Sequence, residues 1–223
     1  MSENLKKKII VVDDHPMMRK GLSQTLNAEH GYDVVAQFER AEEVLQEYQD
    51  IEPDMAVIDI SLPGMSGLEL VKHLNSLDAG LKMLVVSRHE ETLYAKRVLR
   101  AGAKGYVMKQ EAGDVLLKAT RKIFNGGIYV SDDVNEKLLL DMACGREDIS
   151  KSPIDLLSDR EIEVFEMTGK GNKTREIAEK LHLSVKTVES YRARIKTKLN
   201  LENATELMMH AVKWVENEQE YSQ

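Results

Sequence analysis

Between residues 5 and about 125 the chain alternates five short apolar runs with five helix-length amphipathic segments, and this alternation constrains the fold more than any other feature. The runs are Ile9-Ile10-Val11-Val12, Val34-Val35-Ala36, Met55-Ala56-Val57-Ile58, Met83-Leu84-Val85-Val86 and Tyr106-Val107-Met108. They are short and mostly β-branched or otherwise apolar, as expected of strands buried on both faces. The first intervening segment starts at Pro16, well placed at a first helical position, and runs to about Ala28. The others cover about 41–49, 67–75, 93–101 and 114–124. Five strands alternating with five helices predict an α/β fold, a doubly wound parallel sheet with right-handed crossovers.

After Gly126-Gly127 the alternation stops. Ser131-Asp132-Asp133 caps an expected helix through Met142, and Gly145 to Pro153 reads as a polar linker. Everything beyond reads as helix: Asp159 to Thr168, Thr174 to Leu181, Val185 to Leu199 and Ala204 to about Glu218. The charge changes at the same place. Residues 158–200 carry ten Lys/Arg against seven Asp/Glu, net +3, so the rest of a chain of formal charge −7 carries −10. An acidic body with a basic segment near its C-terminus suggests two jobs in two domains, with a boundary near 145–155. The overall charge also argues against indiscriminate nucleic-acid binding.

Composition excludes other classes. At 42% hydrophobic and 31% charged over 223 residues, the chain is an ordinary soluble globular one. Its one cysteine, Cys144, has no partner within the chain, which excludes an intrachain disulfide framework and a zinc ribbon and points to a reducing, cytoplasmic compartment. The run Lys6-Lys7-Lys8 is followed by only four apolar residues before Asp13, too few for a signal peptide. No stretch is long enough to span a bilayer, so no membrane partner is expected.

In an open parallel sheet, ligands bind beyond the carboxyl ends of the strands, where strand order reverses. The polar residues at those ends are Asp13 and Asp14 after the first strand, Asp59 after the third, Ser87 after the fourth and Lys109 after the fifth. Three converging carboxylates repel one another unless a cation sits among them, and their hard oxygens suit Mg²⁺. A lysine and a hydroxyl beside them suit a phosphoryl group. The chemistry that uses all five is phosphoryl transfer onto a carboxylate, with metal and ammonium neutralising the transferring oxygens while one aspartate attacks. One strand-end aspartate alone is commonly just a solvated turn residue; five such residues on four strands are not explained that way.

The surroundings carry a resemblance. Ile9-Ile-Val-Val-Asp-Asp-His-Pro-Met-Met-Arg-Lys-Gly-Leu22, Val57-Ile-Asp-Ile-Ser-Leu-Pro-Gly-Met-Ser-Gly67, Val85-Val-Ser87 and Ala101-Gly-Ala-Lys-Gly-Tyr-Val-Met-Lys109 resemble receiver domains of two-component response regulators over residues 7–125. The resemblance implies a flavodoxin-like fold in which Asp59 accepts a phosphoryl group from a histidine kinase. It implies that Asp13 or Asp14, together with Asp59 and the backbone carbonyl of Ser61, holds Mg²⁺, while Lys109 pairs with the phosphate. It further implies that Ser87 turns its hydroxyl onto a phosphoryl oxygen and that Tyr106 changes rotamer to report the event. Two departures stand out. Receivers usually follow the lysine with a proline in a cis peptide, and here Gln110 follows, so that geometry is not assumed. Ser61 and His89 occupy positions that in this family influence how water reaches the aspartyl phosphate.

In the C-terminal segment, Ser158 with Glu161 three residues on is a capping-box signature. His182-Leu183-Ser184 joins two helices with a turn of helix-turn-helix length, and Ser184 is a candidate cap for the second. At 100° per residue Val185, Val188, Ile195 and Leu199 fall in one arc, opposite Lys186, Glu189, Ser190, Ala193 and Thr197. Small polar residues flanked by Arg192, Arg194, Lys196 and Lys198 suit a helix inserted in a major groove, with short side chains at the bottom and cations at the walls. A merely solvated face predicts mixed signs, yet residues 184–199 hold five bases and only Glu189 as an acid.

Leu157-Ser-Asp-Arg-Glu-Ile-Glu-Val, Gly171-Asn-Lys-Thr-Arg-Glu-Ile-Ala178 and Leu183-Ser-Val-Lys-Thr-Val-Glu-Ser-Tyr-Arg-Ala-Arg-Ile195 resemble the LuxR/NarL-type helix-turn-helix over about 155–215. By position, the resemblance implies that Lys186, Glu189, Ser190 and Ala193 face base edges while Lys173, Thr187, Arg192 and Arg194 contact phosphates. Glu189 either accepts from a cytosine amine, simply repels phosphates, or pairs with a neighbouring basic side chain. The last helix carries Leu207, Met208, Ala211, Val212 and Val215 at helical spacing, read as core or as a dimer contact. Trp214 reads as a packing residue.

Together the two resemblances describe a response regulator of the NarL/FixJ family: receiver over 1–127, linker with one helix over 128–154, and a four-helix DNA-binding domain over 155–223. Such a protein is a switch rather than a turnover enzyme, autodephosphorylation aside. Its implied partners are double-stranded promoter DNA, a cognate histidine kinase, a second copy of itself when phosphorylated, and RNA polymerase as a further candidate. The rival readings are a dehalogenase-type aspartyl-phosphate hydrolase, which needs an acid where Ser61 stands, and a phosphorylation-independent DNA-binding protein. Gly169-Lys-Gly-Asn-Lys-Thr174 lacks Walker spacing, and the six histidines show no paired metal-ligand spacing.

Overall fold

The computed structural model describes residues 6–143 and 153–220; Cys144 and residues 145–152 of the expected linker lie outside the described residues. The chain divides into two compact units, Met1–Leu138 and Leu139–Gln223. In the first, strands β1 (Lys7–Val12), β2 (Tyr32–Phe38), β3 (Met55–Ile58), β4 (Lys82–Ser87) and β5 (Gly105–Met108) form one parallel sheet in the order β2-β1-β3-β4-β5. They alternate with α1 (Pro16–Asn27), α2 (Ala41–Ile51), α3 (Gly67–Leu77), α4 (Glu91–Ala101) and α5 (Ala112–Phe124). Strand order reverses at β1, flanked by β2 and β3.

Successive side chains of a strand alternate between the faces of a sheet. Ile9, Val11, Met55, Val57, Leu84, Val86 and Val107 take one face and pack with Leu22 and Leu26 of α1 and Leu116, Ala119 and Ile123 of α5. Their alternates Ile10, Val12, Ala56, Ile58, Met83, Val85 and Tyr106 point the other way and are equally buried. Each large aliphatic removed from water in this way contributes roughly 1.5–3 kcal/mol. The register then places the site. Val12 pairs with Ile58, Ile58 with Val85, and Ser87 with Met108, so the residues just beyond these strands emerge side by side.

The chain after α5 returns to the open edge of β5. Tyr106 N–H donates to the Tyr129 carbonyl and Tyr129 N–H to the Lys104 carbonyl, each at 2.9 Å. Ser131 N–H then donates to Glu91 Oε1 at 2.8 Å, and Ser131 Oγ caps α6 (Asp132–Ala143) by accepting from Val134 N–H at 3.3 Å. The Ser131-capped helix is therefore present, and the division between the units falls within it.

The second unit holds one 3-10 turn, Pro153–Leu156, then α7 (Asp159–Gly169), α8 (Thr174–Lys180), α9 (Val185–Leu199) and α10 (Ala204–Glu220). The expected caps form. Glu161 N–H donates to Ser158 Oγ while Ser158 N–H donates to Glu161 Oε2 at 2.7 Å, and Thr187 N–H donates to Ser184 Oγ at 3.0 Å. His182, at φ 53°, makes the turn between α8 and α9. Ile162, Phe165, Ile177, Leu181, Val188, Ile195, Leu207 and Ala211 are buried in the described structure, and Trp214 packs on Phe165 with ring centroids 5.5 Å apart. A Cβ on Gly169 would lie 2.3 Å from the Ala211 carbonyl oxygen, so α7 and α10 meet through that glycine. The apolar arc of α9 is narrower than expected: Val188 and Ile195 are fully buried, but Val185 is exposed and Leu199 half-buried.

Candidate functional site

The parallel ladder continues one residue past the strands and so fixes the backbone of the acidic cluster. Asp59 N–H donates to the Val12 carbonyl at 2.8 Å, Asp13 N–H to Phe38 at 3.1 Å, and Lys109 N–H to Ser87 at 2.7 Å. The side chains of Asp13, Asp59 and Lys109 converge there, each 3% exposed or less. Lys109 Nζ bridges Asp13 Oδ2 at 2.7 Å and Asp59 Oδ2 at 2.8 Å. Asp14 lies beside them, its Oδ1 2.5 Å from His15 Nδ1. Burial, reinforced by the Asp59 charge, pushes the Asp13 carboxyl above its ordinary range in spite of Lys109.

Two nearly buried carboxylates facing one ammonium leave the pocket negative. Asp59 Oδ1 is also buried with no hydrogen-bond partner among the described residues, which is costly for a charged oxygen. Asp13, Asp14, His15 and Asp59 each offer a ligand atom, and these atoms lie within 4.8 Å of one another. The donor set fits a divalent cation: clustered carboxylate oxygens with a bare, buried acceptor among them.

Ser87, fully buried, ends β4, its Oγ accepting from His89 N–H at 3.4 Å. Ser61 Oγ and His89 Nε2 lie 2.9 Å apart. Tyr106 is fully buried and its hydroxyl donates to the His89 carbonyl at 2.7 Å, so it adjoins the β4–α4 loop rather than the carboxylates. Among the described residues no peptide bond is cis, so Lys109–Gln110 is trans.

The structure adds residues that spacing alone passed over. A Cβ on Gly67 would sit 1.8 Å from the Asp59 carbonyl oxygen, so only glycine lets α3 start this close to the acceptor strand. Arg19 NH1 donates to the Asp13 carbonyl at 2.6 Å and NH2 to Glu39 at 2.6 Å, holding the β1–α1 turn. His15 joins the acids because it follows Asp14 directly, a signal that a search for paired histidines does not see.

In the second unit, Lys173, Lys186, Glu189, Ser190, Ala193 and Arg194 are exposed, and Thr187 and Arg192 half-buried. Ser190 Oγ folds back onto the Lys186 carbonyl at 2.9 Å, and Arg192 NH1 donates to Thr174 Oγ1 at 2.9 Å, tying α9 to the start of α8. Arg194 lies over the Tyr191 ring. Lys186, Glu189, Ser190, Ala193 and Arg194 therefore stand on the outward side of α9, opposite Val188 and Ile195.

Comparison with known proteins finds a family for each of the two units. Residues 9–121 match the response regulator receiver domain, and residues 155–211 match the bacterial regulatory proteins of the luxR family. The oxygen regulatory protein NreC of Staphylococcus haemolyticus is 35% identical over 210 residues, covering 92% of this chain and 97% of that protein. This chain is a response regulator of the NarL/FixJ family. The response regulator GacA of Pseudomonas syringae pv. syringae is likewise 35% identical, over 92% of this chain and 95% of that protein. Among solved structures, the RcsB response regulator of Salmonella typhimurium superposes with a TM-score of 0.64 at 25% identity, over 94% of this chain and 98% of that one. An RcsB–DNA complex matches with a TM-score of 0.56 at 26% identity, over 93% and 98% of the two chains. The response regulator is thus a receiver joined to a LuxR-type helix-turn-helix, a transcription regulator controlled by phosphorylation. No helix among the described residues is long and apolar enough to cross a membrane.

Proposed function

We propose that Asp59 is the phosphoacceptor of this regulator, that a cognate histidine kinase supplies the phosphoryl group, and that the regulator works in the cytoplasm. The observation that carries this reading is the bare, buried Oδ1 of Asp59 beside an oxygen already held by Lys109. In the transfer, Asp59 attacks phosphorus, the bond from phosphorus to the donor breaks, and an acyl phosphate forms; water later releases the phosphate. Lys109 pairs with the phosphoryl oxygens and the Ser87 hydroxyl donates to one of them. Asp13, Asp14, Asp59 and the Ser61 carbonyl are the groups to hold Mg²⁺, which when bound neutralises charge on the transferring oxygens. The phosphoryl group brings roughly −1.5 to −2 charges in place of the carboxylate's single one and adds acceptor oxygens, enough to reorganise the loop that Ser87, His89 and Tyr106 share.

The output surface is α9. Lys186, Glu189, Ser190 and Ala193 face base edges of promoter DNA, and Lys173, Thr187, Arg192 and Arg194 contact phosphates. The receiver spans 1–127, the linker 128–154 and the DNA-binding domain 155–223. Phosphorylation pairs two copies of the chain on DNA, and the assembled dimer is what RNA polymerase meets.

The test has three parts. Acetyl phosphate with Mg²⁺ should label the wild type and leave Asp59→Asn unlabelled; equal labelling of both would remove Asp59 from its role. Beryllium fluoride with Mg²⁺ should double the mass by light scattering in the wild type only. Replacing Lys186 and Arg194 by Ala should weaken promoter binding without changing labelling, and normal binding by that variant would displace the proposed DNA face.

A further inference from the structure

We infer that His15 is a nitrogen donor to the cation held by the acidic cluster and biases the site toward borderline transition-metal dications relative to Mg²⁺. The inference rests on the receiver reading of that cluster and concerns which metal it prefers. His15 is the residue before α1, and residues in that position commonly turn a side-chain oxygen back onto the first turn of the helix. His15 makes no such cap: its backbone is extended, at φ −88° and ψ 107°, and its ring forms no bond to the helix. Pro16 follows and fixes the helix start without needing one.

The ring instead faces the acids. His15 Nδ1 is 2.5 Å from Asp14 Oδ1 and 3.6 Å from Asp13 Oδ1, and the His15 N–H donates to Asp13 Oδ1 at 2.8 Å, which fixes the turn that aims it. Its ligand atom lies within 4.8 Å of those of Asp13, Asp14 and Asp59. The buried Oδ1 of Asp59, without a hydrogen-bond partner among the described residues, independently marks where a cation is needed. An all-oxygen set suits Mg²⁺, whereas an imidazole added to it raises affinity most for Ni²⁺, Co²⁺ and Zn²⁺.

The alternative role for His15 is to orient Asp14 by a hydrogen bond, and the two roles separate by metal. An orienting bond supports every cation alike, so its loss lowers Ni²⁺ and Mg²⁺ affinity together. Loss of a nitrogen ligand lowers Ni²⁺ selectively. Isothermal titration of the full chain with NiCl₂ and with MgCl₂ is the measurement, on wild type, His15→Ala, His15→Gln and Asp59→Asn. The expected result is an affinity ratio, Ni²⁺ over Mg²⁺, that falls about tenfold or more in both His15 variants. Zinc titration followed by the nitrogen chemical shifts of the histidine rings should move His15 Nδ1 first. An unchanged ratio in His15→Ala, with Mg²⁺ still bound and lost in Asp59→Asn, overturns the inference and leaves the receiver reading standing. Mg²⁺ binding that ignores Asp59 overturns both.

Discussion

The two functional surfaces of this regulator are built in opposite ways. The receiver's site draws Asp13, Asp59 and Lys109 from the ends of three strands spread over most of the unit and buries all three charges. The proposed DNA-contacting face of α9 comes largely from one stretch of a single helix, and its charged groups stay in water. Burying charge is costly unless it is paired, whereas an exposed cation costs the fold almost nothing. The receiver's site should therefore be tied to the stability of its unit and the DNA face should not.

Removing Lys109 is the hardest strain on that comparison. Lys109→Met leaves Asp13 and Asp59 buried without their counter-charge, and the receiver should lose about 3–5 kcal/mol at neutral pH. Part of the loss should return in acid, where the carboxyls protonate. Urea melts followed by circular dichroism at two pH values measure this, and a loss too small to detect would break the comparison. The converse change should be mild: Asp59→Asn removes one of two like charges and should leave the receiver at least as stable without added metal.

In the second unit a loss of comparable size requires the inward side of α9. Ile195→Ala empties a fully buried position and should cost about 2–5 kcal/mol. Trp214, the only tryptophan, packs on Phe165 of the same unit, so its fluorescence reports that unfolding separately. A melt unchanged by Ile195→Ala would mean that α9 is not anchored as the structure shows.

Two buried glutamates extend the contrast to pH. Burial alone would raise Glu161, but the Lys198 ammonium at 2.6 Å and the bonds from Ser158 override it and hold the carboxyl below its ordinary range. Its stabilisation is therefore present above its unfolded-state value and is lost as pH falls through the lowered one. Glu91 runs the other way: burial pushes it up, only partly offset by its bonds from Ser131. Its contribution is fully present below its unfolded-state value and is lost as pH rises through the raised one. Glu161→Gln should flatten the acid limb of the Trp214 transition by about 1 kcal/mol. Glu91→Gln should instead flatten the rise of receiver stability toward acid, and identical pH profiles for the two variants would erase the distinction.

What sequence reading could reach follows the same division. The strands were legible because each apolar run is buried on both faces, and the observed ends lie within two residues of the runs. Caps such as Ser158 and Ser184 were legible because donor and acceptor are three residues apart. Gly67 was visible within a motif, but its need for a bare Cα depends on a carbonyl eight residues back on another element. Glu91 and Ser131 were illegible as a pair: forty residues separate them, and only the return of the chain to the β5 edge brings them together. Val185 shows the opposite limit, since helical periodicity placed it with Val188 and Ile195, but at the first turn of α9 nothing covers it fully.

The smallest stability effect should accompany one of the clearest losses of binding. Arg194 is exposed on α9 beside the Tyr191 ring, and its removal takes away no buried partner. Arg194→Ala should shift the Trp214 melt by no more than about 0.5 kcal/mol. If Arg194 neutralises a phosphate, the slope of log affinity for promoter DNA against log salt should flatten by about 1, with the loss spread evenly over different sequences. Lys186→Ala, proposed to face base edges, should instead change which sequences are preferred while leaving that slope nearer the wild-type value. Equal slopes and equal sequence preferences in the two variants would show that α9 does not divide its work between phosphates and bases, and the face would have to be redrawn around Lys173 and Arg192.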